Sequence, residues 1–598
     1  MEMVRLKKML KNIKGLFWLY RPYFKYGKLY TLLSLFFWLI IVPLCQMLNV
    51  YLPTAIIESL ENEVPFSNIL LMVIVIQALL MFQPMFENVF NMFCKNSKLP
   101  YIEMKLKQEA YNKAINTDYK YIDNPEYYDN YSWAINQYAA KSQEAQGLLN
   151  RIASSVITVA SMLTIITILS PIAIAVTVLG TIIENLLHIK TNYHDVKKDE
   201  ELVSYNRKIG YYHRIFYTSK YAADLKSTNL NKQLMSEYEN VQNEKISVIK
   251  KYAKRMIVWE LSADFTFYFA RTFVILNIVY GIFVGDISTI GAYVTLMLAV
   301  DKLKDSMNDM FYYVKDANKL SIYAGKIKLF FDTESSIENN KTNGITPYNG
   351  AFDIEIDNVD FRYENSDFNL NKLTLKINKG EKIAIVGENG VGKSTLVKLL
   401  LRLYDVNSGD IKINGINIKN YNLEKLRAKI GVAFQNANMY AMSFKKNIEL
   451  YNEVDGKNLK NIVERFEFDR IFEKNKADFN SVVTKEFDEK GIMLSGGEIQ
   501  KIGIARLFTG DFGLLIFDEP SSALDPIAEY NMTKMIFDAS NIATTIMIAH
   551  RLSTIRNADK IILIDKGKAS EVGTHDELML KKGKYFEMFT KQAENYTI

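Results

Sequence analysis

Gly387-Glu-Asn-Gly-Val-Gly-Lys-Ser-Thr395 is the stretch whose reading decides the fold of this 598-residue chain. It fits G-x-x-x-x-G-K-[ST], a loop whose backbone N–H groups cradle phosphates. The apolar run Lys382-Ile-Ala-Ile-Val386 before it predicts a buried strand, and Ser394 to Arg402 predicts the following helix. That order places the phosphates at a helix N-terminus, where free N–H groups and the helix dipole favour negative charge. The expected ATP contacts are Gly387, Glu388, Asn389, Gly390, Val391, Gly392, Lys393, Ser394 and Thr395. Lys393 is expected at the β- and γ-phosphates and the Ser394 hydroxyl on Mg²⁺. Taken alone, the loop also fits an ordinary glycine-rich turn, and the residues downstream decide between the two.

Leu494-Ser-Gly-Gly-Glu498 follows, then the apolar run Leu514-Leu-Ile-Phe-Asp518-Glu519-Pro520, which ends in two carboxylates. Ser522-Ala-Leu-Asp525 comes next, and His550 closes a second apolar run, Thr545-Ile-Met-Ile-Ala549. Gln435 ends Gly431-Val-Ala-Phe434, and upstream stands Tyr363 in Asp360-Phe-Arg-Tyr363. In order and wording these motifs resemble those of the ATP-binding cassette (ABC) transporters.

The resemblance implies a role for each residue. Tyr363 stacks on adenine, Asp518 helps hold Mg²⁺ together with Ser394 and Gln435, and Glu519 polarises the attacking water. Gln435 and His550 complete the catalytic group, His550 at the γ-phosphate, and Ser522 and Asp525 form the D-loop. Ser495, Gly496, Gly497 and Glu498 form the signature, which in this family caps the ATP of a second cassette. One chain then completes no site alone, so a dimer is expected: a homodimer, because no motif is clearly degenerate, with a heterodimer as the alternative. Position 498 is Glu where the family usually has Gln; the added charge near a polyanion predicts reduced or retuned hydrolysis.

Mean hydropathy is −0.05 because two unlike halves average out. Hydrophobic residues make up 49% and aromatics 12%, and the only cysteines, Cys45 and Cys94, imply no disulfide framework. The net charge of +6 could suit nucleic acid, but its placement speaks for a membrane and no nucleic-acid partner is expected. Leu29 to Ile57, Phe66 to Phe86 and Ile152 to Ile183 carry no charge, and a bilayer crossing needs about 20 apolar residues. Ser170-Pro171 divides the third stretch into two spans. Met256 to Gly285 predicts a fifth span and Ile287 to Val300 the start of a sixth. Lysines and arginines cluster before the first span and after the second, fourth and sixth, which predicts cytoplasmic termini in a plasma-membrane protein. The first apolar run is too long for a cleaved signal peptide. Leu6 to Tyr20, basic on one face, is expected along the membrane surface.

The expected architecture is an α-helical membrane domain of six spans over 1–335, a linker over 336–349, and an α/β P-loop ATPase domain over 350–598. Short coupling helices are expected at Tyr121–Asp129 and Tyr221–Asn229, with Asn124-Pro125 as a helix-start signal. Fusion of spans and cassette resembles exporter half-transporters. The wording of Asp518 to Glu529 and Lys485 to Gly491 is similar to lantibiotic and ribosomal-peptide exporters, implying a peptide or other amphipathic cargo. No peptidase domain precedes the first span, so no leader cleavage is expected. A multidrug or lipid exporter is the alternative. Glu260 and Asp264, four apart in the fifth span, are candidates for the substrate path, or else solvated residues below the bilayer. A soluble ABC ATPase is excluded by the spans, and an ATP-gated channel is disfavoured by the intact Glu519 and His550.

Overall fold

The structure, a computed structural model, describes residues 2–284, 290–338, 342–364, 369–520, 526–539, 543–549, 551–552 and 554–594. The chain divides into two compact units, Met1–Lys113 with Asn130–Asp332, and Ala114–Asp129 with Thr333–Ile598.

The first unit is helical: α1 (Glu2–Tyr26), α2 (Lys28–Phe36), α3 (Val42–Glu61), α4 (Phe66–Val89) and α5 (Asn96–Ile115) come before the short α6 (Tyr119–Ile122) of the second unit. Then follow α7 (Pro125–Leu169), α8 (Pro171–Tyr217), α9 (Ala222–Ser227), α10 (Leu230–Val284) and α11 (Ile290–Asp332). Among the described residues, four segments are long and apolar enough to cross a membrane: Lys28–Glu61, Phe66–Ile115, Tyr127–Leu169 and Ile172–Tyr217. The expected fifth span lies on α10 and the sixth begins at residues outside the described set before continuing on α11. The break at Ser170-Pro171 is capped: the Ser170 hydroxyl accepts the Ala173 N–H at 3.4 Å, and Pro171 occupies N1, where its missing N–H costs nothing. One core packs α1, α5, α7 and α11 through Leu19, Tyr23, Ile102, Leu106 and Ile327. Another joins α3, α7, α10 and α11 through Val50, Met162, Val274 and Leu296. In contrast, α4 leaves Leu71, Met85 and Val89 exposed, the pattern of a helix whose partner is lipid.

The expected short helix at Tyr121–Asp129 is corrected. Pro125 has no N–H to donate and therefore starts α7 instead of continuing a helix, and the short helix is α6, ending at Ile122. Asn124 marks the start, its Oδ1 accepting the Tyr127 N–H at 3.4 Å. The second expected short helix is α9, preceded by a 3₁₀ turn at Ser219–Tyr221.

The second unit holds two sheets. β1 (Ile354–Arg362), β2 (Asn369–Ile377), β4 (Ser408–Ile413) and β5 (Ile416–Asn417) form an antiparallel sheet in the order β2-β1-β4-β5. The other runs β10-β9-β3-β8-β7-β6, with β3 (Lys382–Val386) parallel to β8 (Thr544–Ile548) and β9 (Lys560–Asp565), and β7 (Leu514–Asp518) parallel to β8 and β6 (Ile430–Ala433). β10 (Lys568–Gly573) closes the edge antiparallel to β9. Strands covered on both faces read as continuous apolar runs, as Ile383 to Val386 and Ile546 to Ile548 do. Residues 114–129 are tied into this unit by buried Asp118, whose carboxylate accepts the N–H groups of Ser336 at 2.8 Å, Ile337 at 3.1 Å and Glu338 at 2.9 Å.

Candidate nucleotide-binding site

The carboxyl ends of the parallel strands carry the expected residues: the phosphate loop after β3, Gln435 after β6, and Asp518 and Glu519 at the end of β7. Ligands of open α/β sheets bind at such ends. His550, Ser522 and Asp525 lie outside the described residues.

Glycine is required in the loop. Gly387 has φ 153°, and a Cβ there would stand 2.3 Å from the Ile564 carbonyl oxygen. Gly392, at φ 108°, caps α12 (Lys393–Leu400) and leaves the N-terminal N–H groups of that helix free for an anion. Lys393 is buried, and its ammonium donates to the carbonyls of Gly387 at 2.8 Å and Glu388 at 3.0 Å. Burial lowers its pKa from the ordinary value, with Glu519 and Asp518 opposing that shift. The ammonium is therefore folded back onto the loop it serves, close to two carboxylates.

Ser394 Oγ stands 3.4 Å from Asp518 Oδ1. A hydroxyl beside a carboxylate is the hard-oxygen donor set that suits Mg²⁺, which, when bound, neutralises phosphate oxygens. Glu519 takes a left-handed backbone conformation, φ 51°, uncommon for a residue with a side chain. Its N–H donates to Ile548 C=O of β8 at 3.0 Å, and its carboxylate accepts Gln435 Nε2 at 2.7 Å. Strain held in place by neighbouring strands is a feature of functional positions.

Tyr363 shares a hydrogen bond with Thr395 Oγ1 at 3.2 Å and packs edge-on against Phe361 and Tyr404. A cavity of about 600 Å³ opens beside it, lined also by Lys398, Tyr404 and Asp123. Asp123 accepts from Lys398 at 2.9 Å and Tyr404 at 2.7 Å. Its burial opposes ionisation, but those two partners outweigh it and hold the carboxyl below the usual range. Thus the turn before α7 reaches the aromatic group that contains Tyr363.

The signature residues begin α17 (Gly496–Ala505). Ser495 and Glu498 form a capping box: Glu498 Oε2 accepts the Ser495 N–H at 2.7 Å and the Ser495 hydroxyl accepts the Glu498 N–H at 3.4 Å. Glu498 Oε1 also faces Lys474 at 3.4 Å. Burial disfavours the charged form, yet Ser495 and Lys474 hold its pKa below the ordinary value. The charge that distinguishes Glu498 from Gln is thus partnered within the cassette.

Sequence reading missed two positioning residues. Arg506, buried just after α17, donates to Asn438 C=O at 2.7 Å and Asn447 C=O at 2.8 Å, tying the segment after Gln435 to the signature helix. Asn447, fully buried, bonds both the N–H and the C=O of Tyr440. For Arg506 the only signal was a charged residue inside the otherwise apolar stretch Ile502 to Phe508; Asn447, beside Lys445, Lys446 and Glu449, gave none. In the helical unit Glu260 stands 3.3 Å from His188, and Asp264 is exposed on the same helix.

The sequence pattern described as "ABC transporter" matches residues 370–522. The chain is 28% identical over 503 residues to the subtilin transport ATP-binding protein SpaT of Bacillus subtilis, covering 83% of this chain and 80% of that protein. It is 39% identical over 243 residues to the putative multidrug export ATP-binding/permease protein YgaD of Bacillus subtilis (strain 168), covering 40% of this chain and 41% of that one. The solved structure of a bacterial Atm1-family ABC exporter with ATP bound superposes with a TM-score of 0.67 at 21% identity, covering 94% of this chain and 98% of that one. Residues 370–522 thus carry an ABC transporter domain, the ATP-hydrolysing cassette, and the N-terminal half is helical with several segments apolar enough to cross a membrane.

Proposed function

We propose that the chain is one half of an ATP-driven exporter that works as a homodimer in the plasma membrane and moves a small ribosomally made or modified peptide out of the cytoplasm. The observation that carries the hydrolytic part is the arrangement at the end of β7. Glu519 is fixed by Ile548 and Gln435 beside the Ser394–Asp518 pair and Lys393. In this reading ATP stacks on Tyr363 and lays its phosphates along Gly387 to Thr395. Lys393 leaves the loop carbonyls for the phosphates, and Ser394, Gln435 and Asp518 hold Mg²⁺. Glu519 exchanges Gln435 for the attacking water and accepts its proton. His550, Ser522 and Asp525 complete the site, and Ser495 to Glu498 face the ATP of the partner subunit. Domain limits near 335 and 350 fit this division of labour.

The peptide reading rests on the long match to a protein named for subtilin transport; the match to YgaD, named for multidrug export, favours a drug cargo instead. Glu260 and Asp264 would line the path for a cationic cargo. The test is ATP turnover of the reconstituted protein with cationic peptides against lipids and hydrophobic drugs. Stimulation by peptides supports the reading. Stimulation by lipids or drugs alone moves the protein to the alternative.

A further inference from the structure

Glu184 ends the apolar stretch of α8 about 20 Å along the helix from Pro171, well inside a hydrocarbon layer about 30 Å thick. Its side chain is 1% exposed. One carboxylate oxygen, Oε1, accepts Asn308 Nδ2 at 3.2 Å and faces the Lys304 ammonium at 3.6 Å, both on α11. The other, Oε2, is buried with no partner among the described residues. One turn on, His188 places Nε2 3.8 Å from Glu184 and Nδ1 3.3 Å from Glu260 of α10. Glu260 is 45% exposed, so the imidazole bridges a buried carboxylate and an accessible one.

Three elements contribute to this cluster. α8 supplies Glu184 and His188, α10 supplies Glu260 with exposed Asp264 one turn further on, and α11 supplies Lys304, Asn308 and Tyr312, whose ring lies 6.4 Å from His188. Lys304 is held over the Phe267 ring at 3.7 Å. The neighbouring Arg271–Asp301 pair balances itself at 2.9 Å. With His188 neutral, Glu184 and Glu260 oppose the single ammonium of Lys304. An unbalanced charge at this depth is costly, and ionisable residues there mark ion and substrate paths.

We infer that the Glu184–His188–Glu260–Lys304 cluster is a cation-exchange site of the transport path: it holds a proton when empty and releases it when an ammonium or guanidinium group of the cargo enters. This rests on the exporter reading and adds to it the charge of the cargo and the counter-ion it displaces. Only the imidazole N–H bond breaks; the proton leaves by Glu260 to water, and the incoming cation takes over its charge beside Glu184. Asp264 sits where it would draw cations toward Glu260.

The test uses the full chain in proteoliposomes with lauroyl-trilysine amide as the probe and its fully acetylated, neutral form as the control. ATP turnover is expressed as the ratio of stimulated to basal rate. The trication is expected to stimulate and the neutral form not. Its half-maximal concentration is expected to fall at least about threefold between about pH 6 and about pH 8, as the competing proton is lost. Glu184→Gln is expected to raise that concentration by about tenfold, and His188→Gln to flatten the pH dependence while the variant still hydrolyses ATP. If the two probes act alike, or the pH dependence survives His188→Gln, the inference is overturned. Basal turnover that Glu519→Gln does not slow defeats the exporter reading instead, whatever the cluster does.

Discussion

Glu498 shows how one residue can depart from a family pattern without breaking the helix it starts. Its carboxylate caps α17 through the Ser495 N–H and pairs with Lys474. Glu498→Gln keeps an acceptor for Ser495 and loses only a partly exposed ion pair, so its stability cost is expected to stay within about 0.5 kcal/mol. Glu498→Ala removes the cap and is expected to cost about 1 kcal/mol. Thermal unfolding of the two variants checks this, and equal losses would contradict it. The folded carboxyl titrates below its ordinary 4.5, so this contribution is complete above that pH and is lost as pH falls through the lowered value. Several residues at this scale were legible in the sequence, because Gly387, Lys393, Asp518 and Glu519 are fixed by local chemistry. Arg506 and Asn447 were not, because their partners are backbone carbonyls whose positions depend on the folded loop.

Among the elements, α19 (His575–Lys581) and α20 (Lys584–Glu594) close the cassette around a buried pair. His575 Nδ1 lies 2.9 Å from the Tyr585 hydroxyl, and burial, with Arg556, lowers the histidine pKa from its ordinary 6.5. Burial also pushes Tyr585 up to about 12. The neutral imidazole is the folded form. The stability it contributes is complete above pH 6.5 and is lost as pH falls from there through the lowered value. Amide exchange in residues 575–594, corrected for the intrinsic pH dependence of exchange, is therefore expected to quicken as pH falls from about 7 to about 5 more than exchange in β3, and His575→Gln should remove the difference. Uniform acceleration would contradict this. Helix ends at Ser170-Pro171 were readable from cap chemistry. The short helix before α7 was misplaced because the start signal at Asn124-Pro125 belongs to α7, while the short helix lies ahead of it at Tyr119–Ile122. The Glu184–His188–Glu260 group was only half visible: each residue reads as an isolated charge until α8, α10 and α11 are packed together.

For the whole molecule, the cassette was legible because its motifs are local strings at parallel strand ends, whereas apolar runs give the number of spans and not which faces meet. The fold agrees with that of a solved Atm1-family exporter. A homodimer with two complete sites predicts that the single purified gene product hydrolyses ATP. Activity that appears only when a second gene product is added would refute it.

The central claim is that Glu519 activates water at an otherwise intact nucleotide site. The direct measurement is ATP binding and single-turnover hydrolysis by Glu519→Gln, beside wild type and Lys393→Ala. The account predicts that Glu519→Gln binds ATP, hydrolyses it at least about tenfold more slowly and accumulates as a closed dimer, while Lys393→Ala loses nucleotide affinity. Near-normal turnover by Glu519→Gln would contradict it.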